Sequence, residues 1–427
     1  MKELYLKYRE STGVCTDTRK ITPGCMFFAL RGENFDGNEF ALKALEGGAL
    51  YSVVDSPALA EIADSRLICV ENVLDTLQQL ARFHRMQYDI PVVGITGTNG
   101  KTTTKELVAA VLRSSFDIVC TQGNLNNHIG VPLTLFNISE STQIAVVEMG
   151  ANHPGEIALS ASLARPTVGL ITNVGRAHLE GFGSFEGVKN TKGELYDFLV
   201  SVNGKAICNA DSEDISQMAA IRPQMAVEKY GVGYQNAEIL PVTVENPYLR
   251  IKVDGRVINT NLVGRYNADN VLAAICVGRH FGITLESAAA AIESYVPSNN
   301  RSQMVSTGRN LLIVDAYNAN YTSMNAALDN FAATEFPSKS LILGDMLELG
   351  EFSRQAHSEI LAKARAITSD IYLVGRSEFR AVAGESEKVF ETSADLKDYI
   401  AANPVQGRSI LIKGSNGTKL NLLIESL

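Results

Sequence analysis

The chain has 427 residues, of which 45% are hydrophobic and 20% charged, and its formal net charge at pH 7 is -9. At roughly 150 residues per domain, this composition is that of a globular protein of about two to four domains. The acidic balance argues against a partner with a polyanionic surface, such as nucleic acid or an anionic membrane, because either would require a basic excess.

The spacing of the cysteines and the length of the apolar runs limit the class of protein further. The six cysteines are far apart and form no Cys-x-x-Cys pair, so they are typical of reduced core residues rather than of a zinc site. The first ten residues, MKELYLKYRE, carry charge from the second position, and no later run approaches the roughly 18 apolar residues of a membrane span. We expect a cytoplasmic protein without a membrane span.

The first part of the chain alternates short apolar runs with helical patterns. The runs CMFFAL, LYSVVD and LICVEN predict strands, and FALKALEGG and TLQQLARFHRMQY predict helices. This pattern indicates a small α/β domain over residues 1–87.

Two further regions of the chain alternate apolar runs with helical patterns. From Ile90, the runs PVVGIT, IAVVEMG and VGLITNV are typical of strands buried on both faces, and they alternate with helices such as TKELVAAVLRSS. This predicts a central domain over residues 88–300 with a mainly parallel sheet. The runs NLLIVDAY, KSLILGD, DIYLVG and RSILIKG predict a third α/β domain over residues 301–427.

The segment GITGTNGKTTT, from Gly94 to Thr104, indicates a phosphate-binding loop between a strand and a helix. The usual pattern would require glycine where Ile95 stands, so Gly97 and Gly100 are predicted to bracket the turn instead. Lys101 would contact the β- and γ-phosphates, and the Thr102 hydroxyl would coordinate Mg²⁺. The alternative is a simple strand-to-helix turn with a solvated lysine, but the coincidence of strand, Gly-Lys-Thr and helix favours a nucleotide site.

A metal at such a loop also needs an acidic ligand from a neighbouring strand. Glu148 directly follows three apolar residues in IAVVEMG, and His178 follows another apolar strand. Either residue could instead be structural, and for an isolated histidine that is the more common case. The Asn-Lys-x-Asp segment by which GTPases bind guanine is missing, so the sequence favours ATP.

Segments along nearly the whole chain resemble the Mur ligases. They include GTNGKTT (97–103), GNLNNHIGVPLTL (123–135), EMGANHPGEI (148–157), NVGRAHLEGFGS (173–184), KGELYDFL (192–199), GRYNADNVLAA (264–274) and DAYNANYTSM (315–324). Within this family, GNLNN, GANHPGEI and YNAN are similar to the branch that adds D-alanyl-D-alanine to UDP-N-acetylmuramoyl-tripeptide. The Asp-Asn-Pro-Arg segment of the diaminopimelate-adding branch is missing.

The resemblance implies an N-terminal domain that binds the UDP end of the substrate, a central ATPase, and a Rossmann-like C-terminal domain. It implies ATP and two Mg²⁺ ions as cofactors, with UDP-N-acetylmuramoyl-tripeptide and D-alanyl-D-alanine as substrates. We expect a monomer. ATP would phosphorylate the tripeptide carboxylate, and the amine of D-alanyl-D-alanine would then attack the acyl phosphate.

The resemblance also implies roles for individual residues, which we state as expectations. The catalytic set is Lys101, Glu148, His178, Lys192 and Arg301. Magnesium ligands would be Thr102, Glu148, His178 and, if CO₂ has converted its amine to a carbamate, Lys192. ATP would be bound by Gly97, Thr98, Asn99, Gly100, Lys101, Thr102, Thr103, Asn267, Asn270, Arg301 and Asp315. Substrate contacts are expected from Thr18, Arg19, Asn126, Asn127, Asn318 and Asn320.

Some positions depart from the family pattern. Many relatives have histidine at the position of Tyr266, proline at that of Tyr321 and serine at that of Thr18. Three alternative functions stay open: another ligase of the superfamily, such as a glutamate-adding one, a small-molecule kinase, and a nucleotide-binding regulator without ligase activity.

Overall fold

The computed structural model describes residues 1–176, 179–243, 245–298, 301–347 and 349–427, with only the backbone of Leu179. It divides into two compact units. The first comprises Met1–Gly94, Phe116–Ala151 and Glu156–Val168, and the second comprises Ile95–Ser115, Asn152–Gly155 and Gly169–Leu427.

The N-terminal part of the first unit contains a four-stranded parallel sheet of order β1-β2-β5-β6 and an antiparallel pair, β3 and β4. Its elements are α1 (Lys2–Glu10), β1 (Val14–Cys15), β2 (Met26–Phe28), β3 (Arg31–Gly32), β4 (Phe35–Asp36), α2 (Ala41–Glu46), β5 (Tyr51–Val54), α3 (Pro57–Ala60), β6 (Leu67–Cys69) and α4 (Val73–Arg85). The predicted strands at CMFFAL, LYSVVD and LICVEN are confirmed.

The following part of the chain contains a six-stranded sheet of order β12-β11-β10-β7-β9-β8 and a small antiparallel sheet, β13-β14-β15. Its elements are β7 (Val92–Thr96), α5 (Lys101–Arg113), β8 (Ile118–Cys120), α6 (Gly130–Leu135), β9 (Ile144–Glu148), α7 (Glu156–Ala164), β10 (Val168–Ile171), α8 (Leu179–Phe182), α9 (Phe185–Ser201), β11 (Lys205–Asn209), α10 (Glu213–Ala220), β12 (Ala226–Tyr230), β13 (Glu238–Ile239), β14 (Arg250–Val253), β15 (Arg256–Asn259), α11 (Ala268–His280) and α12 (Leu285–Ser294).

The C-terminal part of the second unit contains a six-stranded sheet of order β16-β17-β21-β18-β19-β20, in which only the edge strand β16 pairs antiparallel. Its elements are β16 (Gln303–Ser306), β17 (Leu311–Asp315), α13 (Tyr321–Ala333), β18 (Lys339–Gly344), α14 (Ser353–Ile367), β19 (Ile371–Val374), α15 (Glu378–Val382), β20 (Lys388–Phe390), α16 (Ser393–Ala402) and β21 (Ser409–Lys413).

The apolar runs of this C-terminal sheet are continuous because both of its faces are covered. In β18, Leu341 and Leu343 pack into one buried cluster, while Ile342 packs into the cluster on the opposite face. Successive strand residues point to opposite faces, so burial of both faces leaves no position for the polar alternation of a half-exposed strand. The α/β fold class is confirmed. No helix in the described ranges is long and apolar enough to cross a membrane.

Candidate active site

The loop between β7 and α5 has the backbone conformation expected of a phosphate-binding turn. Gly97 and Gly100 both have positive φ angles, +144° and +77°. A Cβ atom on Gly97 would overlap the Thr172 Oγ1 atom, and one on Gly100 would lie 2.7 Å from Asn270 Oδ1. Glycine is therefore required at both positions, which confirms that Gly97 and Gly100 bracket the turn.

The side chain of Asn173 fixes the loop from the segment after β10. Its Oδ1 accepts a hydrogen bond from the Asn99 N–H at 2.9 Å, and its Nδ2 donates to the Asn99 carbonyl at 3.0 Å. The Thr172 hydroxyl donates to the same carbonyl at 2.6 Å, and the Thr98 N–H donates to the Asn173 carbonyl at 3.0 Å. These roles of Thr172 and Asn173 were not predicted, and their position directly after a buried strand is the only sequence feature that points to them.

Helix α5 begins immediately after this loop. Gly100 is its N-terminal cap and offers no side chain to the N–H groups of the first turn. The dipole of a helix is positive at its N-terminus, so this helix end favours an anion. The Lys101 Nζ donates to the carbonyls of Gly97 at 2.8 Å and Thr98 at 3.0 Å, which holds the ammonium over the turn. Thr102 and Thr103 are buried.

Two predicted adenine-side residues contact each other and the loop. Asn270 donates through Nδ2 to Asn267 Oδ1 at 2.8 Å, and its Oδ1 accepts from the Thr104 hydroxyl at 2.9 Å. Nearby, the Tyr266 hydroxyl lies 3.2 Å from the Ser302 hydroxyl. Burial, assisted by the Asp315 carboxylate, raises the pKa of Tyr266, so this phenol is neutral at physiological pH.

The segment that precedes α13 also reaches the loop. Asn320 caps α13 by accepting from the Ser323 N–H at 2.9 Å, and it pairs with the Asn99 side chain through hydrogen bonds of 2.7 and 3.4 Å. Asp315 ends β17 and lies 2.5 Å from the Nζ of Lys413, which is 1% exposed at the end of β21. The same Nζ donates to the Asn318 carbonyl at 3.4 Å. Neither pairing was predicted.

In the first unit, the structure brings together Glu148 and Asn126. Glu148 ends β9 with 1% exposure, and its Oε1 accepts from Asn126 Nδ2 at 2.8 Å. Asn127 accepts from the Gly130 N–H at 2.8 Å at the start of α6. Thr18 and Arg19 lie in a short 3₁₀ turn, where the Arg19 side chain is 87% exposed and paired with Asp17.

The remaining metal-site predictions are Lys192 and His178. Lys192 is 2% exposed on α9, with its Nζ 5.4 Å from the centroid of the Phe182 ring. His178 lies outside the described residues. Within the residues that are described, no three His, Cys, Asp or Glu side chains cluster as a metal site. The predicted ligand set differs from such a cluster, because it includes a hydroxyl and a modified lysine.

A cavity of about 330 Å³ opens in the second unit, lined by residues that include Arg176, Phe185, Tyr321, Leu349, Phe352 and Glu359. The Tyr321 hydroxyl donates to Glu359 Oε2 at 2.5 Å, and the Gln355 amide donates to Glu359 Oε1 at 2.9 Å. These hydrogen bonds, with the charge of Arg176, lower the pKa of Glu359. The cavity thus combines apolar walls with an ionised carboxylate and a guanidinium.

A parallel α/β sheet with a glycine loop, a helix N-terminus and a lysine over the turn defines a nucleotide-binding protein of the phosphate-loop class. Three family models match this chain: the Mur ligase family catalytic domain over residues 10–85, the Mur ligase middle domain over 95–278, and the Mur ligase glutamate ligase domain over 300–416. The chain belongs to the Mur ligase family.

Relatives resemble the chain from end to end. A protein of Bacillus subtilis (strain 168) named UDP-N-acetylmuramoyl-tripeptide–D-alanyl-D-alanine ligase is 35% identical, covering 97% of this chain and 93% of that protein. The protein of the same name from Escherichia coli (strain K12) is 36% identical with the same coverage. A crystal structure of MurF ligase from Thermotoga maritima in complex with ADP matches with a TM-score of 0.86 at 25% identity, covering 100% of this chain and 98% of that chain. The chain has the three-domain Mur ligase fold and is an ATP-dependent ligase.

The loop geometry predicts a strong effect of Gly100→Ala. The new methyl group would displace Asn270, so we expect the affinity for ATP to fall by about tenfold or more, since a lost buried hydrogen-bond network commonly costs over 1 kcal/mol. Gly282→Ala is a matched control, because Gly282 has a similar φ of +81°, and apart from its chain neighbours no described atom lies within 4 Å of a Cβ placed there. That control should lose stability by about 1 kcal/mol and bind nucleotide normally. Equal ATP affinity in the two variants, measured by calorimetry, would contradict this account.

Proposed function

We propose that this ligase adds D-alanyl-D-alanine to UDP-N-acetylmuramoyl-tripeptide, in the cytoplasm and as a monomer. The observation that carries the proposal is the match to relatives of that named activity over 97% of the chain. The phosphate-loop geometry supports it, because amide formation from a carboxylate requires nucleotide activation. We place the domain boundaries near residues 87 and 300.

The chemistry follows from the poor electrophilicity of a carboxylate. The terminal carboxylate of the tripeptide attacks the γ-phosphorus of ATP, which breaks the bond to ADP and forms an acyl phosphate. The Lys101 ammonium, held over the turn by two carbonyls, neutralises charge on the transferring phosphoryl group. The amine then attacks the acyl carbon, and phosphate leaves.

We assign the nucleotide contacts to residues that surround the loop. The phosphates are assigned to the loop from Gly97 to Gly100 and to the first turn of α5, from Lys101 to Thr103, and Asn173 holds the loop in place through the N–H groups of Thr98 and Asn99. Asn267 and Asn270 bind on the adenine side, while Arg301 and Asp315 contact the γ-phosphate and the ribose. Thr18, Arg19, Asn126, Asn127, Asn318 and Asn320 are assigned to substrate binding.

The donor chemistry of the predicted metal ligands fits magnesium. The Thr102 hydroxyl and the Glu148 carboxylate are hard oxygen donors, and both side chains are buried. His178 and a carbamate on Lys192 complete the proposed set for two ions. Bound magnesium would reduce the repulsion between ATP and the attacking carboxylate. A carbamate would replace the buried Lys192 amine with an anionic oxygen ligand.

We assign the cavity beside Arg176 to the incoming amine substrate. Arg176 follows Gly175, whose N–H donates to the Thr98 hydroxyl, and Tyr321 follows Asn320, which pairs with Asn99. The cavity walls therefore continue directly from the two segments that hold the loop. A guanidinium suits the carboxylate of a dipeptide, and Phe185, Leu349 and Phe352 suit its methyl groups.

The proposed activity predicts phosphate release from ATP that depends on both substrates. With UDP-N-acetylmuramoyl-tripeptide present, D-alanyl-D-alanine should stimulate phosphate release and appear in the product, because attack by its amine consumes the acyl phosphate. Glutamate and other single amino acids serve as controls. A phosphorylated product that accumulates with no amine incorporated would favour a kinase, and binding without turnover would favour a regulator.

The carbamate assignment predicts that Lys192→Ala abolishes activity and that short carboxylic acids restore part of it by supplying the missing oxygen ligands. Lys189→Ala is the matched control on the same helix, because Lys189 pairs with Asp214 at 2.5 Å and has no assigned role. Activity of Lys192→Ala equal to that of the control, in a phosphate-release assay, would remove Lys192 from the site.

The cavity assignment predicts that Arg176→Ala raises KM for D-alanyl-D-alanine by about tenfold or more. The carboxylate of the dipeptide would lose its charge-assisted hydrogen bond to the guanidinium. KM for ATP should change less than about twofold. Arg354→Ala, on the exposed side of α14, is the control. An unchanged KM for the dipeptide would place the amine substrate elsewhere.

A further inference from the structure

The Arg301 guanidinium lies flat against the ring of Tyr317, with its central carbon 3.7 Å from the ring centroid. Strand β16 begins two residues after Arg301 and pairs antiparallel with β17, where Gln303 lies opposite Val314. A guanidinium stacked at this distance is attracted by the electron-rich face of the ring.

The segment that carries Tyr317 is held on both sides of the ring. Before it, Asp315 is paired with the buried Lys413, whose Nζ also donates to the Asn318 carbonyl. After it, Asn320 caps α13 and bonds to the Asn99 side chain in the phosphate loop. Tyr317 is therefore a fixed support for Arg301, and its segment is tied directly to the loop.

The stacked guanidinium keeps unused donor capacity. Its Nε atom is buried and has no hydrogen-bond partner in the part of the chain that the structure describes. Arginine donors point outward in the plane of the guanidinium, so stacking occupies the face and leaves the edge for an acceptor. Phosphate oxygens are the acceptors that such an edge binds best.

We propose that Tyr317 is a positioning residue that holds the face of the Arg301 guanidinium, so that its edge donates to a phosphate of ATP. The inference rests on the proposed function of Arg301 as a nucleotide contact, and it deepens that function by naming the residue that orients it. The ring face performs this role, and the Tyr317 hydroxyl is not required for it.

A double-mutant cycle tests the proposal. Tyr317→Leu removes the aromatic face, and Tyr317→Phe keeps it and removes only the hydroxyl. We expect Tyr317→Leu to lower kcat/KM for ATP by about tenfold and Tyr317→Phe by less than about twofold. In an Arg301→Ala background, Tyr317→Leu should cause no further loss, because the side chain it supports is gone.

Three readouts separate positioning from a general structural role. KM for the UDP-linked substrate and for the amine should stay within about twofold of wild type in the single Tyr317 variants. Affinity for a non-hydrolysable ATP analogue, measured by calorimetry, should show the same non-additive pattern as kcat/KM. Additive losses in the cycle, or a Tyr317→Phe variant as weak as Tyr317→Leu, would overturn the proposal.

The experiments distinguish a variant that fails to fold from a failure of the proposed function. Thermal unfolding of each variant is measured first, and Tyr317→Met replaces Tyr317→Leu if the latter is unfolded at the assay temperature. Unfolding of both would show that Tyr317 is needed for the fold and would also overturn the positioning role. If the wild-type protein binds the ATP analogue but does not join D-alanyl-D-alanine, the double-mutant cycle measured with the analogue still tests Tyr317, and only the proposed function fails.

Discussion

The peptide groups on both sides of Asn99 are fixed by one side chain, that of Asn173, and the nucleotide site depends on this clamp. A flexible glycine turn would lose considerable conformational entropy on binding a phosphate, whereas this turn is ordered beforehand by four hydrogen bonds that it forms with Thr172 and Asn173. The clamp also sets where α5 begins, and hence where its N-terminal N–H groups and Lys101 lie. Through the Asn99 side chain, it extends to Asn320 and the start of α13.

The departure of the loop from the usual phosphate-loop pattern has a structural explanation. Ile95, where that pattern places its first glycine, is a fully buried residue of β7. The strand thus continues two residues further, and the turn is confined to residues 97–100. Sequence predicted this turn because positive φ angles strongly favour glycine, and it predicted the principal strands because sheets covered on both faces require apolar runs. The small antiparallel sheet β13-β14-β15 was missed, because its short strands carry charged residues at exposed positions such as Lys252.

The pairings that organise the site could not be predicted in the same way. Asn99 and Asn320 are 221 positions apart, and Asp315 and Lys413 are 98 apart. The second pair depends on β17 and β21 being neighbours in register, which the order of strands along the chain does not reveal. In the sequence, Arg301 has the surroundings of a surface arginine, and its stacking against Tyr317 is seen only in the tertiary structure. The sequence therefore predicted the glycines that the backbone of the turn requires. It did not predict side-chain pairs whose two members the topology brings together from distant segments.

The central claim is that ATP activates the substrate carboxylate rather than driving a separate conformational or kinase step. It is tested most directly with UDP-N-acetylmuramoyl-tripeptide labelled with oxygen-18 in its terminal carboxylate, incubated with ATP, magnesium and D-alanyl-D-alanine. Attack of that carboxylate on the γ-phosphorus transfers one of its oxygens, so mass spectrometry of the released phosphate should find one labelled oxygen for each amide formed. Phosphate free of the label, with amide product still accumulating, would contradict the acyl-phosphate route.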